Sequence, residues 1–104
     1  MSVKIDSKNF GEYINGGKLV VVDFYADWCA PCRAMSPIID ELSEHFGERV
    51  IVGKLDVEAD SSIADSYGVK SIPTLIFFKD GEVVDKTSGS VSKIQLEDMI
   101  NSHI

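Results

Sequence analysis

The stretch Leu-Val-Val-Val-Asp-Phe-Tyr at 19–25 limits the possible folds more than any other part of the chain. Three consecutive valines leave no polar face, so a strand built from them has to be covered on both sides. A sheet with one wet face would alternate apolar and polar residues, and no such alternation is present. Downstream, Met35, Ile38, Ile39, Leu42 and Phe46 recur at 3.6-residue spacing. This spacing predicts a helix from about Cys32 to Phe46, kinked at Pro37 and stopped by Gly47. A doubly buried strand feeding a long helix is the opening of a layered α/β structure.

The rest of the chain extends that plan. Val3–Ile5 is a short candidate edge strand, and Asp6 or Ser7 is placed to cap a helix carrying Phe10, Tyr13 and Ile14. Val50 to Val57 is a second apolar strand. Ser61 or Ser62 opens a helix ending at Tyr67, with Gly68 as its C-cap. Thr74 to Phe78 is a strand, Asp80-Gly81 is a hairpin signal, and Glu82 to Thr87 should return antiparallel. Ser92-Lys93-Ile94-Gln95 has capping-box spacing, and the helix it opens sets Leu96, Met99, Ile100 and Ile104 on one face. The expected fold is a central mixed, mostly parallel sheet of four to five strands. Helices cover both faces, and an antiparallel hairpin closes the C-terminal end.

A chain of 104 residues, 44% hydrophobic, suits one domain over 1–104 that needs neither structural disulfides nor metals. The net charge of −7, with basic residues that never adjoin, excludes a nucleic-acid binder. No apolar run approaches the roughly 18 residues of a membrane span. Residues 1–20 lack a secretory pattern, so a reducing cytoplasm is the expected compartment.

The two cysteines, in Trp28-Cys29-Ala30-Pro31-Cys32, fall at the strand-to-helix junction. A helix N-terminus offers unpaired N–H groups and the positive end of the macrodipole, which favour thiolate over thiol. Residues i and i+3 share a helix face, so the sulfurs can close a disulfide or open it. Other uses fit less well. Cys29, Cys32 and His45 give C-x2-C-x12-H, but no histidine follows within 46–50; spacing leaves a zinc site using the distant His103 open. Haem attachment needs histidine where Arg33 stands. A purely structural bridge would close only a tiny loop. Asp23 interrupts an apolar strand, either as a solvent-facing acid or as a buried carboxyl with raised proton affinity. Lys54 interrupts Val50 to Leu55 in the same way, as a solvated lysine or as the partner of Asp23.

Taken together, Trp-Cys-x-Pro-Cys after an apolar strand, Asp23, Pro37, Lys54, Ile72-Pro73-Thr74 before a hairpin, and a late Gly89 resemble the thioredoxin family. The match runs from about Phe10 to Ile104. The resemblance implies a protein-disulfide reductase in which Cys29 is the nucleophile, Cys32 resolves, and Asp23 manages the proton of Cys32. It further implies a cis bond before Pro73, where sequence alone permits an ordinary trans turn. It implies a client-binding surface formed by Trp28, Ala30, Pro31, Ile72, Pro73, Gly89 and Ser90, although Trp28 alone would fit a core and Gly89 a simple turn. No bound cofactor or metal is expected. Electrons would come from a thioredoxin reductase of the NADPH/flavin type, with a ferredoxin-linked one as the variant. Clients such as ribonucleotide reductase, peroxiredoxins and methionine sulfoxide reductases are implied, and a monomer is expected.

Two positions depart from the family pattern. Ala30 stands where glycine is usual and adds bulk beside Cys29, and Tyr25 replaces a frequent tryptophan. The rivals are an extracytoplasmic thiol oxidant or isomerase, and a non-redox binding subunit using the Trp28/Pro73 surface.

Overall fold

The computed structural model describes residues 2–104. In chain order the elements are β1 (Val3–Lys4), α1 (Phe10–Ile14), β2 (Leu19–Tyr25), α2 (Ala30–Phe46), β3 (Val50–Asp56), α3 (Ser62–Ser66), β4 (Thr74–Lys79), β5 (Glu82–Ser88) and α4 (Lys93–His103). They build one five-stranded sheet in the order β1-β3-β2-β4-β5. As the valine run requires, β2 is the middle strand and is buried on both faces. Leu19 and Val21 join Met35, Ile39 and Leu42 of α2 and Leu96 and Ile100 of α4 in one core layer. Val20, Val22 and Phe24 face the other way, onto Ile14 of α1 and Ile63 and Ala64 of α3.

The 17 residues of α2 rise about 25 Å, enough to return the chain along a seven-residue strand, so β3 re-enters parallel to β2. The connection through the five-residue α3 instead starts β4 at the end where β3 finished. β4 therefore runs against β2, and β5 against β4. Two pairings are parallel and two antiparallel, so the antiparallel share is larger by one pairing than the hairpin alone implied.

Local chemistry sets the ends of elements. Asp80 and Gly81 both adopt positive φ, 53° and 82°, the type I′ geometry that matches strand twist. The Ser92 hydroxyl accepts the Gln95 N–H at 3.1 Å and caps α4. α3 opens at Ser62 with Ser61 in the N-cap position, as expected, but the side chain that meets the helix start is Asp60, whose carboxylate accepts the Ser62 N–H at 3.1 Å and its hydroxyl at 2.7 Å. Asp6 closes a turn before α1 by accepting the N–H groups of Lys8 and Asn9, and the helix itself starts at Phe10. α2 continues through Pro37 without a break. Ile104 lies beyond α4 and is 47% exposed, not part of the apolar face, because the helix ends at His103.

Candidate active site

β2 ends at Tyr25, and after four intervening residues α2 begins at Ala30, two residues before the expected start. Cys29 is thereby the N-cap, with extended backbone (φ −86°, ψ 110°), and its sulfur accepts the Cys32 N–H at 3.2 Å. Pro31 fits the first turn, where its missing N–H would find no helical partner anyway. The two Cα atoms lie 5.2 Å apart and the sulfurs form a disulfide. Sequence position suggests that Cys29 is nearer the surface, but the exposures, 5% and 3%, barely differ. What separates the sulfurs is their surroundings.

On one side, the Cys29 sulfur lies 3.8 Å from the Ile72 carbonyl oxygen. The Ile72–Pro73 bond is cis, as expected. The Pro73 carbonyl accepts the Gly89 N–H at 2.8 Å, tying the start of β4 to the end of β5. Gly89 makes that turn at φ 80°, a conformation that a side chain would oppose. Trp28 is 67% exposed and shares with Ile72 and Val57 the wall of a groove of about 260 Å³. Its indole N–H donates to Glu58 at 2.9 Å. Ala30, Pro31 and Ser90 are exposed, Ile72 is half-buried, and the Pro73 side chain is buried.

On the other side, Cys32 lines a cleft of about 170 Å³ with Asp23, Tyr25, Ser36 and Lys54. Asp23 is 1% exposed, and its Oδ1 has no hydrogen-bond partner among the described residues. Burial pushes its carboxyl up to about 7, against the opposing pull of Lys54. Burial, reinforced by Asp56, Asp27 and Asp23, also raises the Tyr25 phenol. Lys54 stands directly opposite Asp23 in the β2–β3 register, so the expected pair does share a cleft. The Lys54 ammonium, however, hydrogen-bonds the Ser36 hydroxyl and lies 3.9 Å from Asp40. Hydrogen bonds from Ser2 hold the Asp40 carboxyl below its ordinary value. His103, which spacing left open as a zinc ligand, pairs with Asp85 at 3.0 Å.

Three residues of the site went unnoticed in the sequence. Ser36 and Asp40 follow Cys32 at i+4 and i+8, and that helical spacing would have revealed them. Glu58 had no local signal, because only folding brings it to Trp28 from 30 residues away.

The thioredoxin family model matches residues 1–102. The chain is 44% identical over 99 residues to a thioredoxin of Chlamydia pneumoniae, covering 95% of each chain. It is 38% identical over 102 residues to a thioredoxin of Bacillus subtilis, covering 98% of this chain and 97% of the relative. A solved mutant thioredoxin of Halobacterium salinarum NRC-1 superposes with a TM-score of 0.90 at 33% identity, over 98% of this chain and 89% of that one.

Proposed function

The chain belongs to the thioredoxin family and is a thiol–disulfide oxidoreductase, and from that premise we propose that it works as a reductant of protein disulfides. The observation that carries this reading is the position of Cys29 as N-cap of α2. There its sulfur already accepts one helical N–H, and a thiolate would be favoured.

In the reduced protein, the Cys29 thiolate attacks one sulfur of a client disulfide, forming a mixed disulfide and releasing the client's other sulfur as thiolate, which takes up a proton. Cys32 then loses its proton to Asp23 and attacks the Cys29 sulfur. The Cys29–Cys32 disulfide forms, and the client leaves with its second sulfur reduced. The client gains two electrons and two protons: the cysteine pair supplies both electrons and, through Asp23, the Cys32 proton, and solvent supplies the second proton, which it received when Cys29 ionised. A carboxyl near 7 suits this transfer, since a base is most effective when it titrates near the working pH. The Trp28–Ile72 groove and the backbone around Pro73 and Gly89, flanked by Ala30, Pro31 and Ser90, offer an extended client peptide an apolar seat beside Cys29.

Family membership implies a reductase and disulfide-containing clients as partners. On this reading the reductase is of the NADPH/flavin type, and the clients include ribonucleotide reductase, peroxiredoxins and methionine sulfoxide reductases. The cysteine pair itself carries the electrons, with no bound cofactor or metal. The protein is one domain acting as a monomer in the cytoplasm, where a reducing pool drives the cycle in this direction. Among the described residues no helix is long and apolar enough to cross a membrane.

The test is a pair of variants acting on a disulfide-bonded protein. Cys29→Ser should abolish reduction, while Cys32→Ser should accumulate a mixed disulfide visible on a non-reducing gel. Reduction that survives Cys29→Ser would sink the assignment.

A further inference from the structure

The Lys54 side chain leaves the sheet on the same face as Asp23, yet its ammonium is engaged elsewhere. It reaches α2, where Ser36 Oγ accepts a hydrogen bond from Nζ and Asp40 Oδ2 lies 3.9 Å away. Asp40 is fixed in turn, because Ser2 donates its hydroxyl at 2.6 Å and its backbone N–H at 3.3 Å to Oδ1. Cys32, Ser36 and Asp40 recur at i, i+4 and i+8. One stripe of α2 thus carries both the buried sulfur and the two groups that hold the lysine.

We propose that Ser36 and Asp40 are positioning residues: by holding the Lys54 ammonium against α2 they withhold a direct ion pair from Asp23, leaving its carboxyl free to take and return the proton of Cys32. The last clause rests on the proton role proposed for Asp23 above. The physical reason is the sign of the charge. A cation within about 4–6 Å of a carboxyl stabilises its ionised form and lowers its affinity for a proton. An ammonium free to close on Asp23 would return the carboxyl toward the ordinary carboxylate range and weaken it as a base. Tied to α2, Lys54 leaves burial as the larger influence. The other titratable groups facing Asp23 are Tyr25 on its own strand, Asp27 in the turn, and Cys32 and Arg33 on α2. On the β4 side its register partner is the apolar Leu75.

Ser36→Ala isolates the effect, because it removes the tether without changing any charge. The measurement is the ¹³C-carboxyl NMR titration of Asp23 in the oxidised protein, where the cysteines carry no titratable thiol. The midpoint should fall by about half a pH unit, roughly threefold in proton affinity. Asp40→Asn should lower it at least as far, since it also removes a negative charge. In a Lys54→Met background, Ser36→Ala should have no effect, as a cycle through the shared partner requires. An unchanged midpoint in Ser36→Ala, or a shift that persists without Lys54, overturns the proposal. The pH profile of disulfide exchange by the reduced protein separates the two readings. A midpoint that moves while the exchange profile stays fixed leaves the positioning intact and removes Asp23 from the chemistry.

Discussion

Asp23 lies within one of the most apolar stretches of the chain, under α2 and in the middle strand, where its charged form is disfavoured. Its folded-state value, about 7, is above the ordinary 3.8, so the folded protein binds a proton there that the unfolded chain releases. The stabilisation from that proton is complete below the unfolded value and is lost as pH rises through the folded one. Between pH 5 and 8.5 the oxidised protein should therefore lose about 2–3 kcal/mol of stability through this one residue. Asp23→Asn lacks the titration, so its advantage over the native protein should widen by that amount across the same range. Urea unfolding at the two pH values checks this, and a gap independent of pH would show that the carboxyl is solvated. Ala30, the departure beside Cys29, is exposed.

At the scale of elements, the site depends on where α2 begins and on how β1 and β3 fit together. Starting α2 at Ala30 makes Cys29 a cap, whereas a start at Cys32 would leave its sulfur outside the helix end. β1 is only two residues long and is held to the edge of β3 by its pairing and by Ile5, which packs over Gly53. A Cβ on Gly53 would collide with Ile5 Cδ1 and lie 2.7 Å from Ile5 Cγ1, closer than carbon atoms tolerate, and at 3.1 Å from Val3 Cγ2 it would force that side chain to shift slightly. Because Ile5 is buried, it has little room to give way. Gly53→Ala should therefore destabilise the protein by about 1–3 kcal/mol, the usual range for an overpacked core. Denaturant midpoints with an unchanged m-value would confirm it. Since Lys54 and Ser2 flank this junction, the same variant should also perturb the Lys54 tether, seen as a shift in the Asp23 carboxyl resonance.

For the molecule as a whole, the direction of electron flow is a matter of relative stability. A reductant is a protein whose folded state favours the disulfide, so its oxidised form should resist denaturation better than its dithiol form. We expect a reduction potential clearly more negative than the roughly −180 mV of isomerase-type proteins. Every additional 30 mV corresponds to about 1.4 kcal/mol. Equilibration against a thiol buffer, followed through Trp28 fluorescence, gives the potential. Urea curves of the two forms give the stability difference independently. A dithiol form more stable than the disulfide would make the protein an oxidant and reverse the proposed function.

Much of this architecture follows from short-range chemistry that sequence records directly. The valine run demands a doubly covered strand, Asp80-Gly81 supplies the turn that pairs β4 with β5, and the CxxC pair sits where a strand becomes a helix. Asp23 was legible for the same reason, as an acid inside an apolar run. The folded molecule decided what depends on distance and direction. β4 opposes β2 because the chain begins it at the end of the sheet where β3 finished, a direction that no residue within β4 signals. The two cysteines are almost equally buried because they form one small cluster with Ala26, against which Tyr25, Val57 and Ile72 from other segments pack. Lys54 could be read as a partner for Asp23, and register does set them opposite each other. Where its flexible side chain ends, however, is chosen by Ser36 and Asp40 across the gap to α2, a competition among three elements that only their packing brings within reach.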